Sequence, residues 1–124
     1  MDEDCLKGIA IIEDEIDLVK VYIRLFNRRG IPVCFVAYNG VEAVHKFTEL
    51  PTKPRVIIMD NRMPVMCGIE ATKEILKIEP ESKIIFLSAD MSEHEAAMSS
   101  GAIAFLKKPV SINTITQTVC KALN

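Results

Sequence analysis

Four short apolar runs in this sequence end on residues able to do chemistry. Gly8–Ile12 leads into Glu13-Asp14, Arg55–Met59 into Asp60, Lys83–Leu87 into Ser88, and Ala102–Leu106 into Lys107-Lys108-Pro109. Brought together on one rim, these would be three carboxylates, a hydroxyl and an ammonium. Two carboxylates ~4–5 Å apart repel by roughly 3–4 kcal/mol at an effective dielectric near 20, so either a proton or a cation must sit among them. An oxygen-only, solvent-facing set without Cys or His suits a hard divalent ion such as Mg²⁺. A divalent ion and a lysine on opposite sides can neutralise a phosphoryl group, and a serine hydroxyl can donate to one of its oxygens. A carboxylate between them, Asp60, can then act as nucleophile on phosphorus and become an aspartyl phosphate. Singly, each residue has a plainer reading: Asp14 as the cap of a helix, Ser88 as a loop residue. Their conjunction at four run ends favours the phosphoryl site.

The elements that must position these residues follow from hydrophobic period. A fifth apolar run, Pro32–Ala37, joins the four above, and Val- and Ile-rich runs of this length suit strands buried on both faces. Amphipathic stretches at about 15–29, 40–50, 69–78, 92–100 and 111–123 read as helices. The first carries Ile16, Val19, Ile23 and Phe26 on one face, widened by Tyr22 and Leu25. Ser92-Glu93-His94-Glu95 reads as a capping box for the fourth. Ser111 is a cap for the last, whose apolar face is Ile112, Ile115, Val119 and Ala122. Strands alternating with helices imply right-handed crossovers and a parallel sheet covered on both faces, a doubly wound α/β sandwich. In such folds chemistry gathers beyond the carboxyl ends of the strands, where the acids, Ser88 and Lys108 fall. No glycine-rich phosphate loop follows the first run, which argues against a dinucleotide or flavin site.

Composition excludes other classes. The chain of 124 residues is 49% hydrophobic and 26% charged, with formal net charge −2. That is a folded domain of ordinary size, neither disordered nor a basic nucleic-acid coat. No apolar run approaches the ~18–20 residues that span a bilayer. Asp2, Glu3 and Asp4 stand where an export signal needs bases, so a cytoplasmic protein is expected. Cys5, Cys34, Cys67 and Cys120 are scattered without metal-ligand spacing and read as reduced, mostly buried thiols. His45 and His94 lack a neighbouring nucleophile and read as surface or packing residues.

The sequence resembles the receiver domain of two-component signalling, the fold of chemotaxis response regulators and sporulation phosphorelay intermediates. The resemblance rests on Ile11-Ile12-Glu13-Asp14-Glu15, on Ile57-Ile58-Met59-Asp60-Asn61-Arg62-Met63-Pro64 with Gly68, on Phe86-Leu87-Ser88-Ala89, and on Gly101-Ala102 leading to Phe105-Leu106-Lys107-Lys108-Pro109. It covers essentially the whole chain, 1–124, and implies a flavodoxin-like (βα)5 fold with strand order 2-1-3-4-5; as the sequence stops at Asn124, directly after the last helix, no output domain is expected. By the resemblance, Asp60 accepts a phosphoryl group from a histidine kinase or phosphotransfer protein. Asp14 ligates Mg²⁺ directly, Glu13 through water, Asp60 itself joins, and the backbone carbonyl of Arg62 adds a ligand; Mn²⁺ would substitute. Ser88 and Lys108 contact the phosphoryl oxygens, Lys108-Pro109 is cis, and Phe105 is the aromatic that moves inward when Ser88 follows the phosphoryl group. The output is then a protein contact on the fourth helix, fifth strand and fifth helix, or onward phosphotransfer to a histidine of another protein, with no direct nucleic-acid partner and no membrane insertion.

The chain departs from the family in ways that bear on signalling. Glu13 stands for a usual Asp, Ser88 for a commoner Thr and Phe105 for a frequent Tyr, and the segment from Ser88 to Gly101 is about two residues shorter than in many relatives. Arg62 and Asp90 should flank the site entrance and pair there, shielding an acyl phosphate from water; two unconnected solvated charges are the plainer alternative. Lys20, Arg24, Arg28 and Arg29 could form a kinase-docking face, or merely complement the helix dipole. Cys67, in the loop after Asp60, has a conceivable redox role. Other classes compete: a fragment of a longer regulator, an aspartate-nucleophile phosphohydrolase, or a phosphate-independent interaction domain. The phosphohydrolase chemistry wants its nucleophile on the first strand, and retention of Asp14, Asp60, Ser88 and Lys108 together argues against the last.

Overall fold

A computed structural model describes residues 8–124; Cys5 and the acids at positions 2–4 lie outside the described residues. The described chain alternates β1 (Ile9–Ile12), α1 (Ile16–Arg28), β2 (Val33–Ala37), α2 (Gly40–Glu49), β3 (Val56–Asp60), α3 (Gly68–Ile78), β4 (Lys83–Ser88), α4 (His94–Ser99), β5 (Ala104–Lys107) and α5 (Ile112–Leu123). A 3₁₀ turn, Met91–Glu93, precedes α4. All strand pairs are parallel, in the order β2-β1-β3-β4-β5. This is the doubly wound α/β architecture expected from the alternation of runs.

Side-chain alternation divides each central strand between two cores. Ile9 and Ile11, Val56 and Ile58, Ile85 and Leu87 face one core with Val19, Tyr22 and Phe26 of α1 and Ile115, Val119 and Ala122 of α5. Ala10 and Ile12, Ile57 and Met59, Ile84 and Phe86 face the other, with Ala43 and Phe47 of α2, Ala71 and Ile75 of α3 and Ala97 of α4. Each fully buried Ile or Phe here contributes ~1.5–3 kcal/mol of transfer free energy. That packing holds β1, β3 and β4 rigid and fixes where their carboxyl ends stand.

Several local expectations need correction. Ile16 and Ile112 are 57% and 41% exposed, outside the core faces assigned to them. Both open helices whose first turns stand past the strand ends, where the sheet offers nothing to pack against. The fifth strand begins at Ala104, not Ala102, its pairing with β4 starting at Ile85 opposite Ala104; just before it, the Ile103 N–H donates to the Ile84 carbonyl at 2.9 Å. Asp14 caps nothing: Glu15 holds the N-cap position of α1, and it is Glu13 whose carboxylate accepts from the Glu15 N–H at 3.2 Å. Ser92 is not a helix cap. Asp90 caps the 3₁₀ turn ahead of α4, accepting from the Ser92 N–H at 2.9 Å and from its hydroxyl at 2.6 Å, and Glu93 holds the N-cap position of α4 itself. Ser111 does cap α5, accepting from the Thr114 N–H at 3.1 Å. Among the described residues no disulfide is present, and Cys34, Cys67 and Cys120 are half-buried rather than buried. His45 is exposed, and His94 packs edge-on against Phe105 with ring centroids 5.1 Å apart.

Candidate functional site

The carboxyl ends of β1, β3, β4 and β5 meet at one rim. Oxygens of Glu13, Asp14 and Asp60 lie within 4.8 Å of one another, with Glu13 and Asp60 buried and Asp14 exposed. Lys108, arriving from beyond β5, reaches Glu13 at 3.1 Å and Asp60 at 3.5 Å. The preceding backbone anchors it: the Lys108 N–H donates to the Ser88 carbonyl at 2.8 Å, and the Lys108–Pro109 peptide is cis.

Three carboxylates face a single ammonium. Burial, then the charge of Asp60, raises the pKa of Glu13 despite Lys108. Burial likewise raises Asp60; Lys108 counters it, and Asp14 adds to it. Burial works against the Lys108 ammonium, yet Asp60 and Glu13 overcome it and raise its pKa. Tyr22, beneath this cluster on α1, is pushed up to about 12, chiefly by burial. An all-oxygen donor set short of positive charge is what a hard divalent cation fits.

The loop that carries Asp60 into α3 is tied at both ends. Asn61, buried, accepts the Ile69 N–H on its side chain and the Met63 and Gly68 N–H groups on its carbonyl, each at 3.0 Å. Gly68 has no alternative here, since a Cβ would stand 2.4 Å from the Asp60 carbonyl oxygen. At its far side the Met66 carbonyl accepts from the Gly40 N–H at 3.0 Å, docking the loop on α2. Val65, at the loop's tip, is 82% exposed and holds φ at 72°, a left-handed conformation that costs a β-branched residue ~1–2 kcal/mol.

Ser88 ends β4, 2% exposed. Its hydroxyl donates to Glu93 and accepts from the Asp90 N–H at 3.2 Å. Arg62 and Asp90 pair at 2.7 Å, one of the two arrangements their sequence placement left open, and Arg62 also reaches Glu93 at 3.5 Å. Hydrogen bonds from Ser92, more than Arg62, hold the Asp90 carboxyl below the usual range. Sequence reasoning missed Glu93, which looked like half of a capping box; no local pattern announces a partner five residues back on a strand. Phe105 is half-buried on β5; Lys20, Arg24 and Arg28 are exposed on α1, and Arg29 is exposed just past its end.

The family model for the response regulator receiver domain matches residues 9–120. The chain is 36% identical over 117 residues to the chemotaxis protein CheY of Thermotoga maritima, a match covering 93% of this chain and 96% of that protein. It is 33% identical over 118 residues to CheY of Bacillus subtilis, covering 94% and 97%. The receiver domain of a Pseudomonas aeruginosa sensor histidine kinase, solved with a magnesium ion coordinated in its active site cleft, superposes with a TM-score of 0.82 at 27% identity, covering 94% and 96%. The chain belongs to the response regulator receiver domain family. It is thus a CheY-like module of two-component signalling, and its acidic cluster is compatible with the Mg²⁺-binding phosphorylation site of such domains. Among the described residues, no helix is long and apolar enough to cross a membrane.

Proposed function

We propose that Asp60 is the phosphoacceptor of this receiver. The observation that carries the reading is the convergence on Asp60 of the Lys108 ammonium, 3.5 Å away, and the carboxylates of Glu13 and Asp14, within 4.8 Å. A carboxylate oxygen of Asp60 attacks phosphorus, and a new O–P bond forms. The P–N bond of a phosphohistidine donor breaks, its electron pair leaving on the imidazole nitrogen. Glu13, Asp14, Asp60 and the Arg62 carbonyl would hold Mg²⁺, or Mn²⁺ in its place, and the ion supplies positive charge for the phosphoryl oxygens. Lys108 adds an ammonium to the same oxygens and Ser88 a hydroxyl proton. Ser88 and Phe105 then carry the change toward α4, β5 and α5, where a downstream protein reads it.

The protein works as a switch in the cytoplasm and not as a turnover enzyme. Its donor is a sensor histidine kinase or a phosphotransfer protein. A cleft of about 450 Å³ lined by Leu18, Tyr22, Pro109 and Val110 adjoins Lys108, which supports approach of the donor over α1 and the segment after β5. Acetyl phosphate with Mg²⁺ tests the acceptor directly. The intact protein should gain the mass of one phosphoryl group and Asp60→Asn none; labelling that survives Asp60→Asn overturns the assignment.

A further inference from the structure

Ser88, Glu93, Arg62 and Asp90 form a closed ring. The Ser88 hydroxyl donates to one oxygen of Glu93, whose other oxygen faces Arg62 Nε at 3.5 Å. Arg62 then donates to Asp90 at 2.7 Å, and the Asp90 N–H returns to the Ser88 oxygen at 3.2 Å. The Glu93 side chain is only 17% exposed, against 70% for Arg62, so the carboxylate lies inside the ring.

A serine hydroxyl has one proton. While Ser88 donates it to Glu93, it has none for a phosphoryl oxygen. We propose that Glu93 is a positioning residue that latches Ser88 in the unphosphorylated state, and that its release transmits phosphorylation to α4. The inference rests on the reading of Asp60 as phosphoacceptor and Ser88 as its hydroxyl donor. A phosphoryl group on Asp60 draws the Ser88 proton away and brings negative charge toward the Glu93 carboxylate. Glu93 then loses its donor and moves. Because Glu93 closes the 3₁₀ turn Met91–Glu93 and immediately precedes α4, its departure displaces the start of that helix. Asp90 keeps its bonds to the Ser92 N–H and hydroxyl, so the beginning of the turn retains its internal contacts while Glu93 moves.

Beryllofluoride with Mg²⁺, a stable mimic of the phosphoryl group, provides the test. Its affinity would be measured by calorimetry for the intact protein, Glu93→Ala, Glu93→Gln, Ser88→Ala and the Ser88→Ala/Glu93→Ala double variant, with circular dichroism checking each fold. Glu93→Ala should bind about tenfold tighter, equivalent to ~1.4 kcal/mol. Glu93→Gln, which keeps an acceptor but no charge, should fall between. On the Ser88→Ala background the Glu93→Ala gain should vanish, since the cycle isolates the pair. Unchanged or weaker binding in both Glu93 variants overturns the latch, as does a gain that persists without Ser88. If the intact protein neither binds beryllofluoride nor takes phosphate from acetyl phosphate, the phosphoacceptor reading falls and the latch with it. If it does both while the Glu93 variants match it, the latch alone falls.

Discussion

Asp60 carries its charge against resistance. Burial and the neighbouring Asp14 raise its pKa above the ordinary carboxylate value of 3.8, and Lys108 only partly compensates. The sign of the consequence is definite. A carboxyl whose folded pKa lies above its unfolded one favours the fold most when protonated, and that contribution is lost as pH rises through the folded value. Replacing Asp60 by Asn removes the charge, so without metal Asp60→Asn should overtake the intact protein in stability as pH climbs upward from 3.8. Thermal melts at stepped pH, with a chelator present, check this; a difference independent of pH would contradict it. The three carboxylates, Ser88 and Lys108 were legible in the sequence because each ends an apolar run. Glu93 was not, because its role depends on a hydrogen bond to a strand residue and an arginine in another loop.

At the scale of elements, the loop between β3 and α3 decides how firmly Asp60 is held. Asn61 ties its beginning, and Gly68 lets α3 start directly against the Asp60 carbonyl. Gly68→Ala should therefore cost ~1–3 kcal/mol, because the clash is with backbone, which cannot swing aside as a side chain can. A urea titration measures the loss, and an unaltered midpoint would show that the loop can shift. Strand and helix order was readable from apolar run lengths and helical period. Helix starts were less so. Ile16 and Ile112 keep the period of their helices yet stand above the sheet, and periodicity alone carries no information on where the partner surface ends. Ser92 falls inside a 3₁₀ turn capped by Asp90, whose carboxylate accepts from both the N–H and the hydroxyl of Ser92, so the serine is a donor there and not a cap.

For the molecule as a whole, the site is both the functional centre and a place where like charge accumulates. A divalent ion bound only by the folded state adds RT ln(1 + [L]/Kd) to stability, ~2.7 kcal/mol at a hundredfold excess over Kd. Mg²⁺ should thus raise the melting temperature of the intact protein, and Asp14→Asn should abolish most of that rise; equal rises in both would place the ion elsewhere. A sheet covered on both faces was legible from the alternation of runs and the strand order from the family resemblance, whereas the division of helices, α1 and α5 on one face and α2, α3 and α4 on the other, took the structure to see. The parallel order has a further consequence, for the path of folding. Glu13 and Lys108 are separated by 95 positions in the chain. β1, which bears Glu13, pairs with β2 and β3, whereas the segment bearing Lys108 joins only through β4 and β5. A nascent chain can therefore assemble β1, β2 and β3, and gather all three acids, before their counter-charge has been synthesised. Until β5 docks, that half-built sheet carries its carboxylates unopposed, so the last strand to arrive is also the one that relieves the repulsion.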